Sequence, residues 1–199
     1  MTKVKICGLM KSEDVKAAIE AGADAVGFVF APSKREITIE LAKELAKEVP
    51  EGVLKVGVFV NPTTQELENA VREVPLDYVQ YHGIETPEFI QAHNYPSIKA
   101  LSVRKEEDVE RAKQYNTQYF LFDAPRAGSG ITFDWQLMKG HDFEQEKVIL
   151  AGGLNPTNVK EAINRVKPYM VDVSSGVEIN GKKDSKLIRE FIRAVKDEE

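Results

Sequence analysis

Residues 4–30, VKICGLMKSEDVKAAIEAGADAVGFVF, decide the fold. Val4–Cys7 is a short, mostly apolar run that stops at a glycine, the pattern of a buried strand. Ser12–Ala21 is amphipathic. Ser12, with Glu13 and Asp14, reads as its N-terminal cap, and Gly22 as its C-terminal stop. Ala25–Phe30 is a second apolar run. Strand, capped helix, glycine and strand form a βαβ unit, and such units build parallel sheets.

The same texture recurs along the chain. Further apolar runs lie at Val56–Val60, Tyr78–His82, Ile98–Val103, Tyr119–Asp123, Val148–Ala151 and Met170–Ser174. Amphipathic stretches at Thr38–Val49, Thr63–Val74, Glu106–Tyr115 and Asp184–Val195 separate or follow them. Thr63 and Thr64 before Glu66, Thr86-Pro87-Glu88, and Asn155-Pro156 all read as helix starts. Eight strands alternating with helices predict an α/β fold, a single-domain (β/α)8 TIM barrel over residues 1–199. An open doubly wound sheet is the alternative. It would carry a glycine-rich fingerprint after the first strand, and Cys7-Gly8-Leu9-Met10-Lys11-Ser12 is not one.

Composition narrows the function. The chain has 199 residues, 42% hydrophobic and 30% charged, with a net charge of −5. That balance supplies no basic field for nucleic acid or an anionic membrane. The amino-terminal stretch lacks the apolar core of a signal peptide, and no apolar run approaches a membrane span. The expected setting is the cytoplasm, where a free thiol stays reduced. Cys7 is the only cysteine. It has no intramolecular disulfide partner, and is either a small hydrophobe or a reactive group. No spacing of Cys, His, Asp or Glu suggests a metal site.

In a (β/α)8 barrel, chemistry sits at the carboxyl ends of the strands. That rule gathers Cys7, Asn61, His82, Asp123, Gly152-Gly153 and Ser174-Ser175-Gly176 at one mouth, with Ser33-Lys34-Arg35 beside it. The loops after strands 7 and 8 are the recurrent phosphate site of this architecture, and both are glycine-containing here. Gly152, Gly153, Ser175 and Gly176 are therefore candidate phosphate ligands, and Ala127-Gly128-Ser129-Gly130 could complete the cradle. Asp123, ending an apolar strand, serves either as a cap or as a functional acid. Opposite Cys7 it completes an acid–base pair. Arg35 suits a substrate carboxylate, and His82 is a weaker binding candidate. If Cys7 faces the interior, so do Lys3 and Lys5, and Lys5 then needs a partner, for which Asp172 has the right parity. His93 and His141 read as solvated, and Trp135 as packing under the sixth helix. Two other functions fit the same barrel: a lysine Schiff-base enzyme using Lys5, and a phosphate-ligand binder with no chemistry.

The ordered set of motifs resembles the phosphoribosylanthranilate isomerase family. Its carriers are Lys5-Ile6-Cys7-Gly8-Leu9, Gly27-Phe28-Val29-Phe30 with Ser33-Lys34-Arg35, and Val56–Asn61. They continue through Val79-Gln80-Tyr81-His82-Gly83, Phe122-Asp123, Gly128-Ser129-Gly130 with Phe133-Asp134-Trp135, and Ala151–Pro156. Val171–Glu178 and Gly181-Lys182-Lys183-Asp184 complete the match, which spans the chain. The resemblance implies an Amadori rearrangement of a small phosphorylated substrate, N-(5-phosphoribosyl)anthranilate, with no cofactor. By resemblance Asp123 is the general acid, Cys7 the general base, and Arg35 holds the anthranilate end. The enzyme would act as a monomer or homodimer. Tyr81 stands where the family pattern has leucine, and Ala127 where it has glycine, so the strand-6 loop is expected to differ in shape.

Overall fold

The computed structural model describes residues 1–125, 130–141 and 144–197. Eight parallel strands close on themselves: β1 (Lys3–Cys7), β2 (Ala25–Val29), β3 (Leu54–Phe59), β4 (Tyr78–Tyr81), β5 (Ser97–Ser102), β6 (Tyr119–Asp123), β7 (Val148–Leu150) and β8 (Met170–Val173). The closing seam pairs β1 with β8 and sets Lys5 beside Asp172. Strand ends differ from the expected ones by a residue or two.

The helices are α1 (Ser12–Glu20), α2 (Ile39–Ala46), α3 (Thr64–Glu73), α4 (Pro87–His93), α5 (Glu106–Glu110), α6 (Val159–Val166) and α7 (Ser185–Lys196). α1 ends as its glycine predicts. Gly22, at φ +94°, donates to the Ile19 carbonyl and Ala23 to that of Ala18, the paired bonds of a left-handed helix stop. Thr63 and Glu66 cap α3 reciprocally, and Thr86 caps α4 with Pro87 in its first turn. Two start signals do not hold. Ser12 lies inside the first turn of α1, and its hydroxyl donates to Glu48 instead. Asn155 closes a turn over Thr157 and Asn158, four residues before α6 begins.

The expected sixth helix is absent among the described residues. A single 3-10 turn, Trp135–Met138, follows β6, with Trp135 buried in the outer core. His141 is also not solvated, since its side chain is 2% exposed and its Nδ1 meets Glu110. The last expected helix carries the clearest amphipathic stripe. Ile188, Phe191, Ile192 and Val195 are buried at i, i+3, i+4 and i+7, and Asp184 caps the start. Each such side chain contributes roughly 1.5–3 kcal/mol when fully buried.

Strand alternation divides the core. One face of each strand packs outward on the helices, with Val4, Ile6, Phe28, Phe122 and Val171 among the buried residues. The other fills the barrel in layers. Near the amino-terminal end Tyr119 stacks on Tyr169 and meets Tyr78 edge-on. Ala25, Val56, Ile98, Leu121, Ile149 and Met170 fill the middle. The layer above is polar, and it is the floor of the mouth.

Candidate active site

Cys7 ends β1 facing inward, 7% exposed. Gly27 is its register partner on β2, and a Cβ there would stand 2.7 Å from the Cys7 sulfur. The glycine makes room for the thiol. Two residues earlier on the same face of β1, Lys5 is fully buried, and its Nζ donates to Asp172 Oδ1 at 2.8 Å. Burial works against the Lys5 ammonium, but Asp172 and Cys7 outweigh it and hold its pKa above the ordinary lysine value. The amine is engaged with Asp172 and held charged, whereas a Schiff base needs a free, neutral amine.

The thiol stands in a balanced field. Burial pushes its pKa up and Lys5 pulls it down; Asp172 again raises it and Lys183 lowers it, leaving the net shift upward. Lys183 reaches the same seam from the far side. Its Nζ donates to the Ser174 carbonyl at 2.9 Å and to Glu178 Oε1 at 2.7 Å, while Ser174 Oγ donates to the Cys7 carbonyl at 3.0 Å. Glu178 and Lys183 belong to a small hairpin, β9 (Glu178–Ile179) and β10 (Lys182–Lys183), folded over the end of β8.

Arg35 arrives from the loop after β2, and its stem passes over Gly8, where any Cβ would collide with it at 2.4 Å. Its guanidinium grips Glu178 through Nε at 2.7 Å and Nη2 at 2.8 Å. A guanidinium has five N–H donors, and this fork takes two. Hydrogen bonds from Arg35 and Lys183 override burial and hold the Glu178 carboxyl below its usual range.

Asp123 ends β6, 6% exposed. Oδ1 accepts from the Ala124 amide at 2.7 Å, and Oδ2 lies 3.2 Å from His82 Nε2. His82 is thus a neighbour of the carboxyl, and its Nδ1 meets Gln80 Nε2 at 2.9 Å. Gly152 and Gly153 turn beside Asp123 with φ +85° and +64°. With Asp123, Asp172, Ser174 and Ser175 they line a niche of about 40 Å3. Ser175 and Gly176 open a 3-10 turn, whose leading amides lack intrahelical acceptors. Gly176 backs onto the loop after β7, where a Cβ would meet the Leu154 carbonyl oxygen at 1.8 Å. Both glycine loops therefore meet at one wall of the mouth. Ala127-Gly128-Ser129, the rest of the expected cradle, lies outside the described residues.

A roomier groove of about 450 Å3 runs nearby between Phe30, Ile39, Phe59 and Asn61. It holds neither the thiol nor the acid, so volume does not mark the site; converging chemistry does. Among the described residues no cluster of His, Cys, Asp and Glu is arranged to hold a metal ion, and no helix is long and apolar enough to cross a membrane.

The parts that sequence reasoning did not single out are Gln80, Glu178 and Lys183. For the last two a signal existed: Asn180-Gly181, with φ +52° and +74°, is a two-residue hairpin turn.

A closed parallel barrel with a thiol and a carboxyl at strand ends beside two glycine loops defines a (β/α)8-barrel enzyme. Comparison makes the class specific. Residues 4–194 match the family model described as N-(5'phosphoribosyl)anthranilate (PRA) isomerase. An N-(5'-phosphoribosyl)anthranilate isomerase of Listeria innocua is 53% identical over 197 residues, 97% of each chain. The crystal structure of the Thermotoga maritima phosphoribosyl anthranilate isomerase superposes with a TM-score of 0.91 at 44% identity, covering 99% of this chain and 100% of that one. A further isomerase structure, in complex with reduced 1-(o-carboxyphenylamino)-1-deoxyribulose 5-phosphate, gives a TM-score of 0.88 at 43% identity over 99% and 100%. The chain belongs to the N-(5'-phosphoribosyl)anthranilate isomerase family.

Proposed function

We propose that Asp123 and Cys7 are the acid and base with which this isomerase rearranges N-(5-phosphoribosyl)anthranilate. The observation that carries the assignment is the pair of inward-facing strand-end groups, carboxyl on β6 and thiol on β1, beside the glycine loops. Asp123 gives its proton to the furanose ring oxygen. The bond from C1 to that oxygen breaks, and the anthranilate nitrogen lone pair forms an iminium. The Cys7 thiolate then takes the C2 proton. Those C–H electrons become the C1–C2 double bond, and the iminium electrons return to nitrogen. The enolamine gains a proton at C1 and loses one from its hydroxyl, giving the ketone. Atoms and charge balance without a cofactor.

The upward-shifted thiol has a physical answer. Ring opening creates a cation beside Cys7, and a nearby positive charge favours the thiolate. The thiol is thus ionised at the step that needs a base. Gly152, Gly153, Ser175 and Gly176 hold the phosphate through their amides. The unused donors of Arg35 meet the anthranilate carboxylate, and His82 lines the wall beside the acid. The whole chain works as one barrel, monomer or homodimer, in the cytoplasm.

The test is fluorimetric, following loss of the anthranilate signal from substrate made in situ. Cys7→Ala and Asp123→Asn should each lower kcat by about 10²–10⁴-fold while binding the reduced product analogue nearly as well as wild type. If both variants turn over normally, the assigned roles are wrong.

A further inference from the structure

We propose that Gln80 is a positioning residue for the acid, acting through His82. Its side-chain amide selects which ring nitrogen carries the proton, and the ring returns a proton to Asp123 after each turnover. This rests on Asp123 being the general acid.

The three side chains form a line. Gln80 precedes His82 by two residues on β4, so both point into the barrel. Gln80 is 1% exposed, its Nε2 lies 2.9 Å from His82 Nδ1, and the opposite ring nitrogen lies 3.2 Å from Asp123 Oδ2. The His82 side chain is 21% exposed against 9% for Asp123, so the ring is the solvent-facing member of the pair.

The second observation is an orphan. Gln80 Oε1 is buried with no hydrogen-bond partner among the described residues. Methionine or leucine would fill this position without leaving a buried oxygen unpaired. A side chain that is both donor and acceptor has a use here, because imidazole alternates between the two. With one proton on the His82–Asp123 pair, the amide N–H donates to Nδ1, the ring proton sits on Nε2, and Asp123 is a carboxylate. Uptake of one proton from solvent makes the ring an imidazolium. The amide then turns over and accepts the Nδ1 proton through Oε1. The Nε2 proton passes to Asp123 Oδ2, which leaves a neutral ring and a protonated acid ready for the next ring opening. The orphan oxygen is the acceptor that the second state requires.

Other ionisable groups surround the pair. Cys7, Lys5 and Asp172 face the same interior from β1 and β8, and the buried Lys99–Glu85 ion pair stands behind the Gly83 backbone. Among the described residues none of these hydrogen-bonds the His82 side chain, so changes at Gln80 reach Asp123 through the ring.

The experiment compares Gln80→Glu and Gln80→Met by two readouts, the ¹⁵N shifts of the His82 ring and the pH profile of kcat. Wild type should show the Nε2–H tautomer at neutral pH. In Gln80→Glu the new carboxylate only accepts, so the ring should move to Nδ1–H and the alkaline limb of kcat to higher pH. Gln80→Met should mix the tautomers and lower kcat about tenfold, part of the roughly 10²–10⁴ a general acid supplies, with KM unchanged. Wild-type tautomer and pH profile in the variants would overturn the proposal, and Gln80→Met alone decides if the buried glutamate prevents folding. Asp123→Asn separates the two levels. An active Asp123→Asn enzyme defeats the acid assignment itself, whereas an inactive one with wild-type-like Gln80 variants defeats only the role of Gln80.

Discussion

Replacing Asp172 by asparagine should weaken the fold and favour the Cys7 thiolate over the thiol. The Lys5 Nζ–Asp172 Oδ1 contact of 2.8 Å corresponds to a gross attraction of about 6 kcal/mol at an effective dielectric of about 20. The net penalty is set by the stranded partner, a lysine with no exposure to solvent. Removing one member of such a buried pair costs roughly 3–5 kcal/mol. At about 2–4 °C per kcal/mol for a domain of this size, Tm falls by roughly 6–20 °C. Lys5→Met with Asp172→Leu should recover most of that loss, because no charge is left unpaired. The thiol reports the electrostatics separately. Asp172 raises the Cys7 pKa and Lys5 lowers it. Alkylation of the single cysteine, followed against pH, should therefore shift to lower pH in Asp172→Asn and to higher pH in Lys5→Met. The Lys5 pKa lies above its unfolded value, so the stability linked to its protonation is complete below about pH 10 and is lost as pH rises through the folded value. Neutral buffer is thus the right place to measure the penalty. Shifts of the same sign in the two single variants, or a double variant as unstable as Asp172→Asn, would refute this account of the seam.

Three further outcomes are expected. Gly176→Ala drives a Cβ into the Leu154 carbonyl and separates the two glycine loops. KM for substrate and the inhibition constant for inorganic phosphate should rise together, by about tenfold or more, with a smaller change in kcat. Thr63→Ala removes a reciprocal cap from α3 and should cost about 0.5–2 kcal/mol in urea unfolding, without affecting turnover. Glu178 has a folded pKa below its unfolded value, so its stabilisation is present above about pH 4.3 and is lost as pH falls through the lower folded value. In Tm measured against pH, the gap between wild type and Glu178→Gln should close as the solution is acidified below that point.

Most of the barrel was legible because local rules carried it. Period-two alternation from Lys3 to Cys7 predicted an interior Lys5, and the register with Asp172 supplied its partner. Thr63 and Thr86 behaved as caps because each is the last extended residue before its helix, where its hydroxyl oxygen accepts from an amide of the first turn. Ser12 did not, because α1 starts one residue earlier, with Lys11 at the cap position, and the Ser12 hydroxyl donates to Glu48. The sixth helix rested on the repeat alone, since no amphipathic stretch was read between strands 6 and 7, and among the described residues a single turn that buries Trp135 stands there. The residues that converge at the mouth were readable at the strand ends, and their supporting contacts were not. Arg35 and Glu178 are separated by 143 positions, so only the closed barrel brings them together. Gln80 looked like any polar residue in a strand until its unpaired oxygen was placed inside the barrel.

The β1–β8 seam has a consequence for when activity is born. Cys7 and the buried Lys5 come from one end of the chain and the counterion of Lys5 from the other, 167 positions along. Closing so long a loop is entropically costly, and such contacts form late in folding. A nascent or truncated chain lacking β8 carries Cys7 without the partner that keeps Lys5 charged beside it. Turnover therefore reports completed ring closure, and a half-made barrel releases no half-competent enzyme into the cell.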